Sequence, residues 1–141
     1  MKVLYILMRT DMESLSGCPG KAIAQGAHAA QQFARKMENT DDMAIAKSGE
    51  EFEGIAADYL EWCNQADGFG TVLTLGCTEK EMRESIKYAK QFELPCGIVN
   101  DPTYPLRDGD TTHFFPVSTC AWVFGDKDTT RDAIGWLELH P

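Results

Sequence analysis

The order of apolar runs and amphipathic segments predicts an α/β fold, a three-layer sandwich with a mixed, mostly parallel sheet of about four strands flanked by about four helices. The short and continuously apolar run VLYILM has the composition of a central strand that is buried on both faces, and TVLTLGC is predicted to be a second strand. Segments with helical apolar spacing lie between and after these runs. A chain of 141 residues suits one core, so residues 1–141 are expected to form a single domain.

The first half of the chain predicts one strand and two helices. Residues 3–8 form the first strand, residues 9–19 form a loop, and an alanine-rich helix covers residues 20–36. The following segment, MENTDDMAIAKSG, is polar and irregular. A second helix is predicted over residues 50–65, where apolar residues recur at helical spacing, namely Phe52, Ile55, Ala56, Tyr59, Trp62 and Cys63.

The second half predicts three strands and two helices. Residues 71–77 form a strand, and Thr78 with Glu81 forms a capping box that starts a third helix. LPCGIV is the next strand, followed by a Pro-, Asp- and Gly-rich loop over residues 102–116 and by the strand TCAWVF. A last helix follows Asp128 and Thr129 and ends near residue 137. The three tryptophans fall on predicted core faces: Trp62, Trp122 and Trp136.

The acidic composition argues against general adhesion to nucleic acid or to anionic membranes. The formal net charge is -9 and the pI is about 4.7, so the long-range field repels phosphate. Five cysteines lie far apart without a CxxC pair, which favours reduced thiols over a disulfide framework. The apolar N-terminal run is too short for a signal peptide or for a membrane span of about 20 residues. We therefore expect a cytoplasmic protein with no membrane partner.

The alanine-rich helix carries a line of polar side chains. At 100° per residue, Lys21, Gln25, His28 and Gln32 fall within about 60° of one another. Lys21 lies in the first turn, where its charge opposes the helix dipole, and an ammonium beside free backbone N–H groups suits an anion or an oxyanion. A solvated helix face would explain the rest of the stripe equally well. The residues predicted to pack on the sheet are Ile23, Ala27, Ala30 and Ala34.

The run GKAIAQGAHAA, preceded by a strand that ends in RTDM, resembles the signature of the type 2 peptidyl-tRNA hydrolase family. Members carry a G-K-x-x-A-Q-x-x-H-A run after a strand ending in R-x-D. LPCGIVND resembles the family's later strand, which ends in an active-site aspartate, and TCAWVFG resembles its final core strand. The resemblance covers most of the chain in matching order.

The resemblance implies a homodimeric enzyme that hydrolyses the ester of peptidyl-tRNA without a metal or another cofactor. Carried over by position, Asp101 orients or deprotonates water, Lys21 stabilises the oxyanion or a phosphate, and Gln25 positions the ester. Thr112 is the predicted fourth catalytic residue. The residues that would contact the substrate are Arg9, Asp11, Gly20, His28 and Thr103.

The segment after Asp101 departs from the family pattern. The family continues A-G-R-T-Q and reaches its final strand quickly, whereas this chain has the longer PTYPLRDGDTTHFFPVS. The family threonine can correspond to Thr112 or to Thr103, and Cys120 falls where another threonine is common. Asp108 could replace Asp101 in an alignment counted from the last strand, but the match of LPCGIVND favours Asp101.

The third predicted helix offers a basic face for a tRNA backbone. Lys80, Arg83, Lys87 and Lys90 share this face, although ion pairs with Glu79 and Glu84 would explain part of the pattern. Two other functions remain open from sequence. One is a non-catalytic domain that binds RNA, a nucleotide or a protein, and the other is a hydrolase of a different acyl ester.

Overall fold

The computed structural model of the protein describes residues 1–39 and 54–141. In these residues the chain folds into one five-stranded sheet with helices on both faces. The strands are β1 (Lys2–Arg9), β2 (Val72–Cys77), β3 (Cys96–Asp108), β4 (Thr111–Asp126) and β5 (Glu138–Leu139). The helices are α1 (Glu13–Ser16), α2 (Pro19–Glu38), α3 (Ile55–Cys63), α4 (Glu79–Gln91) and α5 (Arg131–Ile134), with a 3₁₀ turn at Ala66–Gly68.

The strand order is β3-β4-β1-β2-β5, and the sheet is mixed. β1 and β2 are parallel, whereas β1–β4, β3–β4 and β2–β5 are antiparallel. The α/β class is therefore confirmed, but the predicted mostly parallel sheet is wrong. The reason is that residues 102–116 extend β3 and β4 into a hairpin, so β4 returns beside β1 in the opposite direction.

The central strand β1 divides the core into two layers. Alternate residues Leu4, Ile6 and Met8 pack on the side of α2 and α3, while Val3, Tyr5 and Leu7 pack on the side of α4 and α5. This burial on both faces explains the continuous apolar run in the sequence. On the α2 side, Phe33 contacts the rings of Tyr59, Trp62, Trp122 and Phe124.

The segment predicted as a loop, residues 102–116, is instead the outer part of a long β3–β4 hairpin. The hairpin turns at Gly109, whose φ of 60° lies in the left-handed region. β3 is an edge strand. β4 pairs with β1 only over residues 120–126, so the part of β4 before Cys120 has one side without a neighbouring strand. A free side tolerates prolines that lack the N–H group, which is why Pro102, Pro105 and Pro116 do not end the strands.

Several smaller expectations have mixed outcomes. The capping box of Thr78 and Glu81 is confirmed at the start of α4. The second helix is shorter than predicted, and the part of that prediction over residues 50–53 lies outside the described residues, as does most of the segment predicted to be irregular. α5 ends at Ile134, and Trp136 is 44% exposed, so its predicted core position is wrong. Within the described ranges, no helix is both long and apolar enough to cross a membrane.

Candidate active site

Helix α2 lies on the sheet with a different face from the one predicted. Its buried side chains are Gln25, Ala29, Phe33 and Met37, and Gln25 is only 5% exposed. Ile23 is 72% exposed and Ala27 is also exposed, so their predicted packing on the sheet is wrong, whereas Ala30 and Ala34 are half-buried. Since Phe33 and Met37 are the bulkiest apolar residues in the second half of the helix, they set its rotation and carry Gln25 into the core.

The polar stripe of α2 lies over the edge strand β3. Lys21 Nζ donates to the Pro105 carbonyl (3.2 Å), Gln32 Nε2 to the Ile98 carbonyl (3.4 Å) and Lys36 Nζ to the Cys96 carbonyl (2.9 Å). These contacts show that α2 runs antiparallel to β3. The stripe is therefore explained by hydrogen bonds to backbone groups that have no neighbouring strand.

A chain of hydrogen bonds connects α2 with both strands of the hairpin. The Thr119 hydroxyl donates to Gln25 Oε1 (2.7 Å), and Gln25 Nε2 donates to Asp101 Oδ2 (2.9 Å). Thr119 is completely buried. Because the amide oxygen accepts from the hydroxyl, the amide nitrogen is held toward the carboxylate. The structure thus brings Gln25 and Asp101 into direct contact.

Asp101 is held as an ionised carboxylate. Its Oδ1 accepts from the Thr103 N–H (2.9 Å), and the Thr103 hydroxyl lies 3.4 Å away. Burial raises the pKa of Asp101, but hydrogen bonds from Gln25 and Thr103, together with the nearby His28, bring the net pKa below its ordinary value. A carboxylate of this kind orients a water molecule well and is a weak base.

A β-bulge in β4 places Thr119 against α2. Cys120 pairs with Val99 and Ser118 pairs with Asn100, which leaves Thr119 as an extra residue. Regular alternation would direct neighbouring side chains to opposite faces. The bulge instead lets Thr119 and Cys120 both reach Gln25, with Cys120 Sγ donating to the Gln25 carbonyl (3.3 Å).

A second bulge follows Asp101 directly. Between the paired residues Asp101 and Tyr104, β3 has two residues where β4 has only Pro116. Thr103 lies in this bulge, so its N–H group turns back to the Asp101 carboxylate. The two irregularities of the hairpin therefore flank Asp101, and they position Thr103 and Thr119, as bulges beside active sites commonly do.

Lys21 lies one helical turn before Gln25, on the same boundary between α2 and β3. Its Nζ is 5.3 Å from the centre of the Tyr104 ring, in addition to its bond with Pro105. Tyr104 is buried, and its hydroxyl is 2.8 Å from the Ser14 hydroxyl. The Pro105 carbonyl takes one of three ammonium N–H donors, so Lys21 keeps donors for an anion.

Clefts lie on both flanks of α2. A cleft of about 450 Å³ opens between α2 and β3, and its lining includes His28, Arg35, Asn100, Asp101 and Thr103. A more apolar cleft of about 430 Å³ lies on the other flank of α2, where its lining includes Met8, Leu15, Ile23, Thr74 and His140. The first cleft contains the carboxylate, and its polar lining suits a polar substrate.

The peptidyl-tRNA hydrolase PTH2 family model matches residues 2–135. The chain belongs to this family. No curated protein matches the sequence. Among solved structures, a protein of unknown function from Agrobacterium tumefaciens strain C58 is similar, with 9% identity and a TM-score of 0.51 over 99% of this chain and 98% of that one. This likeness concerns the fold alone.

Two residues suggested by the PTH2 resemblance, Arg9 and Asp11, have hydrogen-bond partners other than Asp101, and their contact with substrate stays a prediction. Arg9 bonds Asp11 (2.8 Å) and the Ser118 carbonyl (3.0 Å), and Asp11 accepts from the Glu79 N–H (3.0 Å) at the start of α4. Both side chains therefore join β1 to the α4 layer instead of meeting Asp101. A Cβ atom added at Gly20 would have no tertiary neighbour within 4 Å, so the space beside this residue is open.

Thr112 is also remote from the carboxylate. It is exposed on the outer part of the hairpin, opposite Arg107, so the structure does not bring it to Gln25. Asp108, the alternative aspartate, is exposed beside the same turn. The threonine that meets Gln25 is Thr119, which sequence reasoning missed because a bulge breaks the alternation of β4. Its one sequence signal is its position as the first residue of TCAWVF.

The basic residues predicted for tRNA lie on the exposed face of α4, across the sheet from Asp101. Lys80, Arg83, Lys87 and Lys90 are all exposed, and the last three line a shallow groove of about 520 Å³ beside Ile98. Arg83 bonds Glu79 (3.0 Å), which confirms the expected ion pair.

The buried cysteines of this PTH2 chain are unsuited to nucleophilic catalysis. Burial raises the pKa of Cys77 and of Cys120 to about 12, so both thiols stay protonated near neutral pH. A covalent thioester route through Cys120 is therefore unfavourable.

Proposed function

We propose that this protein hydrolyses the ester bond of peptidyl-tRNA and releases the peptide and free tRNA. Family membership supports the substrate class. The observation that carries the proposal is the hydrogen-bond chain from Thr119 through Gln25 to Asp101, which ends in a polar cleft. It supplies an oriented carboxylate beside space for a substrate.

In the proposed reaction, water bound to Asp101 attacks the ester carbonyl carbon. The water proton passes to the carboxylate, and the carbonyl oxygen becomes an oxyanion that Lys21 stabilises. Collapse of this intermediate breaks the bond to the ribose oxygen, which takes the proton from Asp101. Because its lowered pKa makes Asp101 a weak base, orientation of the water supplies more of the rate than proton abstraction.

The remaining site residues have narrower proposed roles. Gln25 and Thr119 position Asp101, and Thr103 holds the second carboxylate oxygen and contacts the substrate. His28 lines the cleft and takes part in substrate binding. The groove lined by Arg83, Lys87 and Lys90 follows the tRNA backbone on the α4 side of the sheet.

We also propose a cytoplasmic homodimer that needs no metal, as the family resemblance implies. The exposed outer face of α2, with Ile23, Ala24 and Ala27, supplies an apolar surface for a second copy. The free thiols of Cys77, Cys96 and Cys120 agree with a reducing compartment.

The test is hydrolysis of an N-acetylated aminoacyl-tRNA by purified protein, with and without a chelator. Asp101→Asn and Gln25→Leu are expected to lower kcat at least about 100-fold, since they remove the oriented carboxylate or the group that orients it. Thr112→Ala is the matched control and leaves kcat unchanged. Binding of tRNA without turnover by the wild type would instead support the non-catalytic alternative, and loss of activity with the chelator would contradict metal independence.

A further inference from the structure

The outer part of the β3–β4 hairpin continues the face that carries Asp101. Tyr104 pairs with Phe115, and Leu106 pairs with His113. Paired residues of antiparallel strands direct their side chains to the same face. Tyr104 and Leu106 pack on the α2 side of the core, so Phe115 and His113 face that side too.

Two aromatic rings are left open to solvent on this face. Phe115 is 47% exposed, and its ring lies 6.0 Å from the His113 ring at an angle of 36°. The neighbouring Phe114 is 65% exposed but belongs to the opposite face of the strand. Lys21 lies over the ring of Tyr104, the strand partner of Phe115, and adds a positive charge to this part of the face.

We propose that Phe115 and His113 form a stacking surface for the unpaired 3′-terminal nucleotide of the tRNA substrate. This inference rests on the proposed function, since the ester hydrolysed there joins the peptide to the terminal ribose. Val117 is the strand partner of Asp101, and Phe115 lies two residues from Val117. Two residues span about 7 Å along a strand. A ribose ester at Asp101 therefore brings its own base within reach of the Phe115 ring.

The shape and charge of the surface favour a nucleotide over the peptide. Stacking on an aromatic ring requires an open flat surface, as Phe115 offers, whereas an aliphatic side chain is better held in an enclosed pocket. A cation such as Lys21 beside the rings suits a phosphate. Asp108 and Asp110 beside the hairpin turn repel phosphate, so the binding surface ends at His113.

The test measures the affinity of a short single-stranded RNA with an unpaired 3′ adenosine, with fluorescence anisotropy as the readout. Phe115→Ala is expected to weaken binding roughly tenfold, as for the loss of one base stack. Phe114→Ala is the matched control and changes nothing, while Phe115→Trp restores affinity. An RNA whose last nucleotide is abasic is expected to bind the wild type and Phe115→Ala equally well.

Three outcomes of the binding measurements would overturn the inference. Equal affinities of wild type and Phe115→Ala for the intact RNA, or no measurable binding by either, would exclude the stacking surface. If Phe115→Ala weakened the binding of an N-acetylated amino acid ester but not the binding of the RNA, the surface would bind the peptide instead of the nucleotide. Hydrolysis of acylated tRNA is measured separately, so RNA binding that depends on Phe115 without turnover would reject the hydrolase proposal and keep this one.

Discussion

The hydroxyl of Thr119 fixes the direction of a buried amide. It donates to Gln25 Oε1, and this leaves the amide nitrogen facing Asp101. Without that hydroxyl, Gln25 Oε1 would be a buried acceptor without its donor, and the amide could rotate so that its oxygen faced the carboxylate. A single side chain therefore controls both local stability and the orientation of the proposed catalyst.

Replacing Thr119 by Val keeps the shape of the side chain and removes this donor. We expect a loss of about 1–3 kcal/mol in the free energy of unfolding, since a buried acceptor becomes unsatisfied. We also expect a lower kcat at a nearly unchanged KM, because Gln25 no longer holds the carboxylate. Urea denaturation and tRNA-ester hydrolysis measure the two effects. Thr119→Ser should recover most of both, and a Val variant with normal kcat would remove Thr119 from the positioning role.

The sequence pattern predicted part of this site at the residue scale. Gln25 and Asp101 were identified through a motif that resembles the family, and the structure brings them together. Thr119 could not be identified, because strand alternation holds only for regular pairing and a bulge shifts this residue. Thr112 lies away from Gln25 for a related reason, since counting along the chain does not include the hairpin that carries this residue outward.

At the scale of elements, the close approach of α2 and β3 depends on a residue without a side chain. A Cβ at Gly97 would lie 2.7 Å from Trp122 Nε1 and 2.8 Å from Gln32 Oε1. Those two atoms are themselves hydrogen-bonded at 2.7 Å, and the indole is completely buried. A methyl group at position 97 would therefore force the indole or the Gln32 amide to shift.

Gly97→Ala is therefore expected to destabilise the protein by about 1–3 kcal/mol through overpacking. Gly20→Ala is the matched control, because no atom lies within 4 Å of its Cβ position and alanine favours the helix. Thermal unfolding should show a lower Tm for the first variant and an equal or higher Tm for the second. A Gly97→Ala protein as stable as the wild type would show that α2 can move away from β3 without cost.

Regular elements were predicted well, and the hairpin was not. Continuous apolar runs identified β1 and β2, and a capping box identified the start of α4. The segment 102–116 has the proline and glycine content of a loop, and only its position along free strand sides allows it to be extended. Whether a proline faces a neighbouring strand is a property of the sheet order, which local sequence does not contain.

At the scale of the molecule, the proposed binding of tRNA to the α4 groove has to be compatible with the negative net charge. The basic groove on α4 contains Arg83, Lys87 and Lys90, on a chain whose formal net charge is -9. At 0.1 M ionic strength, salt screens the repulsion between a phosphate and exposed carboxylates that lie more than about 10 Å away. A local groove can therefore bind phosphates on an acidic protein.

Lys87→Glu is expected to weaken tRNA binding and to reduce the slope of log affinity against log salt by about 1, as for one lost phosphate contact. Lys127→Glu makes the same charge change at an exposed position outside the groove and is the control. An unchanged slope for Lys87→Glu would remove the α4 face from the tRNA contact surface.

The stability of the whole chain is expected to fall in acid. Asp11, Asp101 and Asp126 each have a pKa below the ordinary 3.8, because their hydrogen bonds and ion pairs outweigh burial. The unfolded chain binds more protons than the folded one between the lowered values and 3.8, so stability is complete above this range and decreases as pH falls through it.

Urea midpoints measured from pH 7 to pH 2 test this expectation. The midpoint should be level above about pH 5 and should decrease below it. Asp101→Asn should show a shallower decrease, whereas Asp108→Asn, which removes a carboxyl group beside the exposed hairpin turn, should follow the wild type. A wild-type midpoint that rises toward pH 3 would contradict the assigned direction of the shifts.

The side chains that α2 extends over β3 also bear on aggregation. An exposed strand edge offers its carbonyls to any foreign strand, and this is how sheets grow into fibrils. Here three carbonyls of the β3 edge already accept hydrogen bonds from α2 side chains of the same molecule. The donor is Lys36 for Cys96, Gln32 for Ile98 and Lys21 for Pro105. The other edge, β5, is only two residues long. An intruding strand would first have to displace α2 from its own sheet, so the same helix that contributes Gln25 to the site also shields the β3 edge from pairing with a foreign strand.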